Sequence, residues 1–150
     1  MGDAVRYTFF AGWEHMDFNA HMANAAYLDI AVNARMRFFT EHGFSMRALE
    51  KHGIGPVVRR DELDYFREFR LLEPIHVELA LAGLSPDGSR MKLRNVFYRD
   101  DGAKAAVLTS FGGWLDLRER RLTVPLQISR DVLAGLPRTD DYEDLKGLRV

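Results

Sequence analysis

The chain has 150 residues, of which 47% are apolar and 29% charged, and 21 basic against 22 acidic side chains leave a net charge of −1. That length suits one domain, 1–150, large enough to bury roughly 68–70% of its unfolded surface without a disulfide or structural metal. The balanced charge gives no positive field to recruit nucleic acid, and the absence of cysteine removes disulfides, thiolate–metal sites and a cysteine nucleophile together.

Val5 to Ala11 alternates weakly and carries Tyr7, Thr8, Phe9 and Phe10, which predicts a short first strand. From Asn24 the period changes: Tyr27, Ile30, Ala31, Ala34, Phe38 and Phe39 recur at three- and four-residue steps, predicting a helix over Asn24 to Thr40, ~25 Å long. Leu28, Val32 and Met36 widen its apolar surface, as expected of a helix surrounded on several sides. Gly43 reads as its stop, and Ser45 to His52 as a second short helix between a serine cap and Gly53.

After Gly55-Pro56 the pattern is of strands. Leu63, Tyr65, Phe69 and Leu71 are expected on one face of a strand over Val57 to Leu72. Ile75, Val77, Leu79 and Leu81 alternate strictly with His76, Glu78 and Ala80, which places His76 outward in solvent. Ser85 to Ser89 is a turn by composition, Met91 to Tyr98 a strand, Arg99 to Gly102 a turn, and Ala105 to Leu117 the last long strand, where Gly112-Gly113 permits a bulge. The core is expected to span about 5–118. The tail, 119–150, holds a terminal helix or irregular segment over Leu126 to Leu136 and then a mobile acidic end. Strand, long helix, then consecutive strands is an α+β plan, with a curved antiparallel sheet over one helix.

The chemistry-bearing residues crowd into "EHMDFNAH", Glu14 to His21, immediately before the long helix. A helix start presents unpaired N–H groups and partial positive charge, which suit an oxygen that becomes negative during a reaction, such as a thioester carbonyl under attack. Asp17 is the candidate carboxylate to attack or to activate water. Asn19 is the candidate to orient that water or donate to the acyl oxygen, and His21 to hold Asp17 or the substrate. The plainer alternative is that Asp17 and Asn19 cap the helix. A metal held by His15, Asp17 and His21 is a further option, although the spacing fits no H-E-x-x-H pattern. Trp13, Phe18 and Tyr27 are expected in the core, with an acyl pocket as the alternative.

"DFNAHMANAAY" resembles the D-x-N-x-H-x-x-N-x-x-Y signature of hotdog-fold acyl thioesterases, the group that includes 4-hydroxybenzoyl-CoA thioesterase-like enzymes and plant acyl-carrier-protein thioesterases. Asp17, Asn19, His21, Asn24 and Tyr27 all match in register. "ARMRFF" (Ala34 to Phe39) is similar to the end of that family's central helix, and Tyr65, Arg67 and Glu68 match its Tyr-Arg-Arg-Glu run. Departures are Ala20 where most bacterial members have Gly, Ala23 where the first of two Asn residues stands, and Glu73-Pro74 for Gly-Asp. The resemblance implies a sheet wrapped around a central helix, and a homodimer or dimer of dimers with acyl sites at the protomer interface. It also implies hydrolysis of an acyl-CoA or acyl-carrier-protein thioester, with catalytic Asp17, Asn19 and His21 and substrate-binding Asn24, Tyr27 and Glu68. No metal and no cofactor beyond the coenzyme A of the substrate is implied. Alternatives are an enoyl-thioester hydratase of the same fold and a non-catalytic acyl-ligand binding module. No apolar run approaches the ~20 residues of a membrane span, and "MGDAVRYTFFAG" lacks the pattern of a secretory leader, so the cytoplasm is the expected compartment.

Overall fold

The computed structural model describes residues 3–148. Its order is β1 (Val5–Phe10), a 3-10 turn (Trp13–His15), α1 (Asn24–Glu41), α2 (Met46–His52), β2 (Ile54–Tyr65), β3 (Pro74–Leu84), β4 (Arg90–Tyr98), β5 (Lys104–Asp116), β6 (Arg121–Thr123), α3 (Gln127–Ala134) and β7 (Arg138–Asp144). The strands form one sheet in the order β1-β3-β4-β5-β2, every neighbour antiparallel. Two short strands extend it: β6 continues against the end of β5, and β7 runs parallel to the end of β3. The expected α+β plan is therefore the architecture.

Residues at positions i and i+2 share one face of a strand, and here that face meets α1. Ile75, Val77, Leu79 and Leu81 of β3, Leu93 and Phe97 of β4, and Leu108 and Trp114 of β5 are all buried in one cluster with Tyr27, Ile30, Ala31, Phe38 and Phe39 of α1. The helix buries residues in pairs four apart, Ala26-Tyr27, Ile30-Ala31, Ala34-Arg35 and Phe38-Phe39, as a single stripe requires. Its other side is not enclosed: Val32 is 44% exposed and Leu28 and Met36 are half-buried. The helix is thus covered on one side by its own sheet and open on the other, rather than surrounded. Gly43 takes φ +93 after α1, and Gly53 takes φ +68 after α2, whose Ser45 Oγ accepts from Ala48 N–H at 3.2 Å, matching the expected boundaries. A bulge at Val58/Arg60 lies beside Gly112, where a Cβ would stand 2.3 Å from the Val57 carbonyl oxygen.

Three expectations are corrected. The strand foreseen over Val57 to Leu72 ends at Tyr65. Both Phe66 and Arg67 N–H then donate to Ala105 O, Phe69 turns into the core at 0% exposure, and Leu72 adopts φ 67. The acidic end is not irregular: it forms β7, paired with the end of β3 and joined to β4 by Arg94–Asp141 at 2.6 Å and Lys92–Glu143 at 3.3 Å, cations that β4 presents on the outer face of the sheet. His76 is not simply solvated, because Thr8 Oγ1 and Asp100 Oδ1 flank its ring nitrogens at 2.8 and 3.0 Å. Leu133 and Leu136 of the α3 region join the main core. Among the described residues no helix is long and apolar enough to cross a membrane.

Candidate active site

Met16 and Met22 pair as an isolated antiparallel bridge, and the residues between them close a tight hairpin. Asp17 N–H donates to His21 O at 3.1 Å, and Ala20 N–H donates to Asp17 O at 3.3 Å. Such a three-residue loop places its last member in the left-handed region, and Ala20 stands there at φ 61. This is the position where the resembling family mostly has glycine; the alanine leaves the turn formed but carries a Cβ into a region that disfavours it.

The hairpin decides what Asp17 does locally. Its Oδ1 accepts from Asn19 N–H at 2.8 Å, an Asx turn. Helix α1 begins later, with Ala23 at the N-cap and no side-chain cap, so neither Asp17 nor Asn19 caps it. Ala23 N–H donates to His15 O and Met22 N–H to Phe69 O, each at 2.7 Å, clamping the hairpin between the preceding turn and the segment that leaves β2. Asp17 Oδ2 lies 4.0 Å from His21 Nδ1, with both side chains about 30% exposed. His21 Nδ1 is also 3.2 Å from Met22 O, an acceptor, so this nitrogen carries the proton and Nε2 is left for other partners. The Asn19 side chain is exposed and makes no hydrogen bond among the described residues; only its backbone touches Asp17.

The candidate residues divide between two open depressions. Asp17 belongs to one of about 710 Å³, walled by Trp13, Met16, Phe18, Ala20 and Leu71. Trp13 is 79% exposed and Phe18 fully so, which corrects their expected place in the core. The second, about 510 Å³, brings together His21, Asn24, Tyr27, Tyr65 and Glu68. Asn24 is exposed, and its carbonyl accepts from Tyr65 OH at 3.2 Å. Tyr27 is chiefly a core residue, its ring edge-on to Tyr65 at 5.0 Å and to Phe97 at 5.3 Å. Burial, then the nearby Tyr65 and Glu68, push its phenol up to about 12, so it acts at neutral pH only as a hydrogen-bonding hydroxyl. Glu68 is exposed and 3.4 Å from Arg70 Nη2.

His15 is set apart: its Nδ1 accepts from Gly12 N–H at 2.9 Å. Among the described residues no three His, Asp or Glu side chains assemble as a metal site. Two polar groups escaped the sequence reading. Arg99 pairs with Glu73 at 3.1 Å and donates to Glu68 O, pinning the loop after β2, and nothing in local sequence marks it. Arg35 is buried in α1, and its place in the 27–31–35–39 stripe was a usable signal.

A lone helix against the inner face of an antiparallel sheet, with a carboxylate hairpin leading into it, defines a hotdog-fold protein. The chain belongs to the thioesterase-like superfamily, whose model matches residues 11–136. Among solved structures it is similar to a Staphylococcus aureus protein in complex with CoA (TM-score 0.80, 21% identity, 90% of this chain and 87% of that one). It is also similar to a 1,4-dihydroxy-2-naphthoyl-CoA thioesterase from Synechocystis (0.79, 12%, 89% and 98%) and a probable thioesterase from Escherichia coli (0.73, 22%, 88% and 98%). At these identities the likeness is one of fold. No curated protein matches the chain.

Proposed function

We propose that this protein hydrolyses an acyl thioester, with acyl-CoA the preferred class and Asp17 the reacting carboxylate. The observation that carries the reading is the state of Asp17. One oxygen is fixed by Asn19 N–H and the other lies 4.0 Å from His21 Nδ1, while the residue itself lines a largely apolar depression. A carboxylate whose orientation is set by its own turn is ready either to take a proton from water or to add to the carbonyl carbon. In the first route water's oxygen bonds to that carbon and its proton passes to Asp17. In the second, an Asp17 acyl anhydride forms and water then cleaves it. Either way the C–S bond breaks and the thiol leaves with a proton, and no cofactor is consumed. The uncapped start of α1 supplies amides for the oxyanion, His21 steadies Asp17, and Asn19, Asn24, Tyr27 and Glu68 form the rim that receives substrate. Family membership and the CoA carried by one structural neighbour support the choice of substrate class.

A second copy of the chain completes the site in this reading. Trp13, Phe18, Phe66 and Leu72 are all more than half exposed, β2 has a neighbour on one side only, and α1 has an open side. Unpaired strands and contiguous apolar surface are ordinarily covered. The deciding experiment is a thiol-release screen over aliphatic and aromatic acyl-CoAs, run with Asp17→Asn and with light scattering to weigh the particle. Turnover by a dimer or larger assembly, abolished in the variant, is the expected result. A monomer, or no turnover across the panel, would overturn the reading.

A further inference from the structure

Charged side chains are almost never fully buried unless paired, and Arg35 is 4% exposed on the core face of α1. Its Nε donates to Asn95 Oδ1 at 3.1 Å and its Nη2 to Ser110 Oγ at 2.5 Å. The Ser110 hydroxyl donates onward to Asp61 Oδ1 at 2.5 Å. Compensation of the cation therefore passes through a hydroxyl to an exposed carboxylate on β2; among the described residues no carboxylate contacts the guanidinium itself. The remaining nitrogen, Nη1, makes no hydrogen bond with them. Arg35 is also the one charged wall of a cavity of about 240 Å³, otherwise bounded chiefly by apolar groups such as Val32, Met36, Phe39, Val57 and Leu93.

Those features define a ligand. A cavity of ~150 Å³ with apolar walls accepts benzene, so this one has room for a ring or short chain with a substituent. A guanidinium prefers a planar oxyanion that can take two parallel N–H bonds. Burial pulls its pKa down and Asp61 pulls it back up, but an arginine stays protonated in proteins. We propose that this cavity binds a compact apolar group ending in a carboxylate, which docks on Arg35 as the direct counter-ion that the surrounding fold does not provide. The group is either a free organic acid or the far end of an acyl substrate, and only the second case rests on the hydrolase reading.

Benzoate and its uncharged analogue benzyl alcohol, titrated calorimetrically into the full chain, test the proposal. Benzoate is expected to bind, and to bind tighter than the alcohol. Arg35→Met should weaken it at least about tenfold, the loss typical of a charge-assisted hydrogen bond. Should that variant fail to fold, Val32→Trp carries the test: Val32 lines the cavity from the open side of α1, so the larger ring obstructs it while Arg35 and its bonds stay in place. With the particle mass unchanged by light scattering, benzoate binding should again be lost. Absence of benzoate binding to the native protein, equal affinity for the alcohol, or unchanged binding in Val32→Trp would overturn the proposal. Arg35 lies eleven residues, about 16 Å, along α1 from Asn24, so hydrolysis of hexadecanedioyl-CoA against palmitoyl-CoA, whose chains can span that distance, separates the two sources. An acyl-end ligand gives the native protein a higher kcat/KM for the dicarboxylic thioester, reversed by Arg35→Met; a free acid leaves the ratio unmoved. If no thioester is turned over, the hydrolase reading fails while the benzoate result still stands or falls by itself.

Discussion

Replacing Asp17 with Asn separates chemistry from architecture, because the bonds Asp17 makes survive the change unequally. The amide keeps an oxygen at Oδ1, so the 2.8 Å bond from Asn19 N–H persists, as do the backbone bonds to His21 and Ala20. What is lost is a carboxylate oxygen 4.0 Å from His21 Nδ1 in a part-exposed pair, an interaction worth at most about 1 kcal/mol. The melting temperature should therefore move by no more than about 4 °C. Removing a general base costs about 10²–10⁴ in rate, or roughly 2.7–5.5 kcal/mol of barrier, well above the structural effect. Asp17→Ala additionally deletes the Asx turn, losing about a further 1 kcal/mol of stability. Thiol release from the best acyl-CoA, read alongside thermal melts of all three proteins, provides the comparison. An Asp17→Asn protein whose kcat stays within about twofold of native would refute the argument.

Other outcomes follow from particular residues. Ala20→Gly should raise the melting temperature slightly, because alanine at φ 61 bears a left-handed cost of roughly 1–2 kcal/mol, more than the added chain entropy of glycine, about 0.5–1 kcal/mol. Ala20→Val should lower it, and melts ranking the three in any other order would count against the turn assigned here. Gly112→Ala places a Cβ 2.3 Å from the Val57 carbonyl oxygen, backbone against backbone; denaturant titration should show a loss of about 1–3 kcal/mol, and a neutral result would contradict the bulge geometry. Asp141 is held down to about 2 by its bond from Arg94. Its folded pKa thus lies below the unfolded one, so its contribution is present above about pH 4 and is lost as pH falls towards 2. Asp141→Asn should accordingly narrow the stability gap between pH 6 and pH 2.5, by less than about 1 kcal/mol because the pair is surface-exposed. An unchanged acid limb would place β7's anchoring elsewhere.

What the sequence disclosed depended on how locally each feature is determined. Strands β3, β4 and β5 were legible because alternation is a property of the segment itself, and α1 because four-residue steps are. The end of β2 was not. Phe69 continues the apolar spacing of that strand, yet it turns into the core and its carbonyl accepts from Met22 N–H at the end of the hairpin that holds Asp17, and only the folded neighbour reveals this. Strand β7 was missed for a related reason: "RTDDYED" has poor strand propensity, and its carboxylates become an asset only opposite Lys92 and Arg94, about fifty positions away in the chain.

The same division runs through the site. Residue types and spacing brought out Asp17, Asn19 and His21, but could not choose between a helix cap and an oriented carboxylate. That choice turns on where α1 begins and on the left-handed Ala20, which closes the hairpin and leaves Asp17 Oδ2 outside the turn's own hydrogen bonds. The exposed Trp13 and Phe18 carry the argument further. Rings of that size on the rim of a polar site raise the cost of solvating it, so the hairpin gains most when a second surface closes over it. A protomer that left both rings in water would hold Asp17 in high dielectric, where neither a developing oxyanion nor the helix start would interact strongly enough to matter. In this reading, assembly and catalysis therefore depend on the same side chains. Trp13→Ser with Phe18→Ser should lower both the particle mass and the turnover while leaving the far-away core of β3 to β5 folded, and retention of full activity by a monomer would break that link.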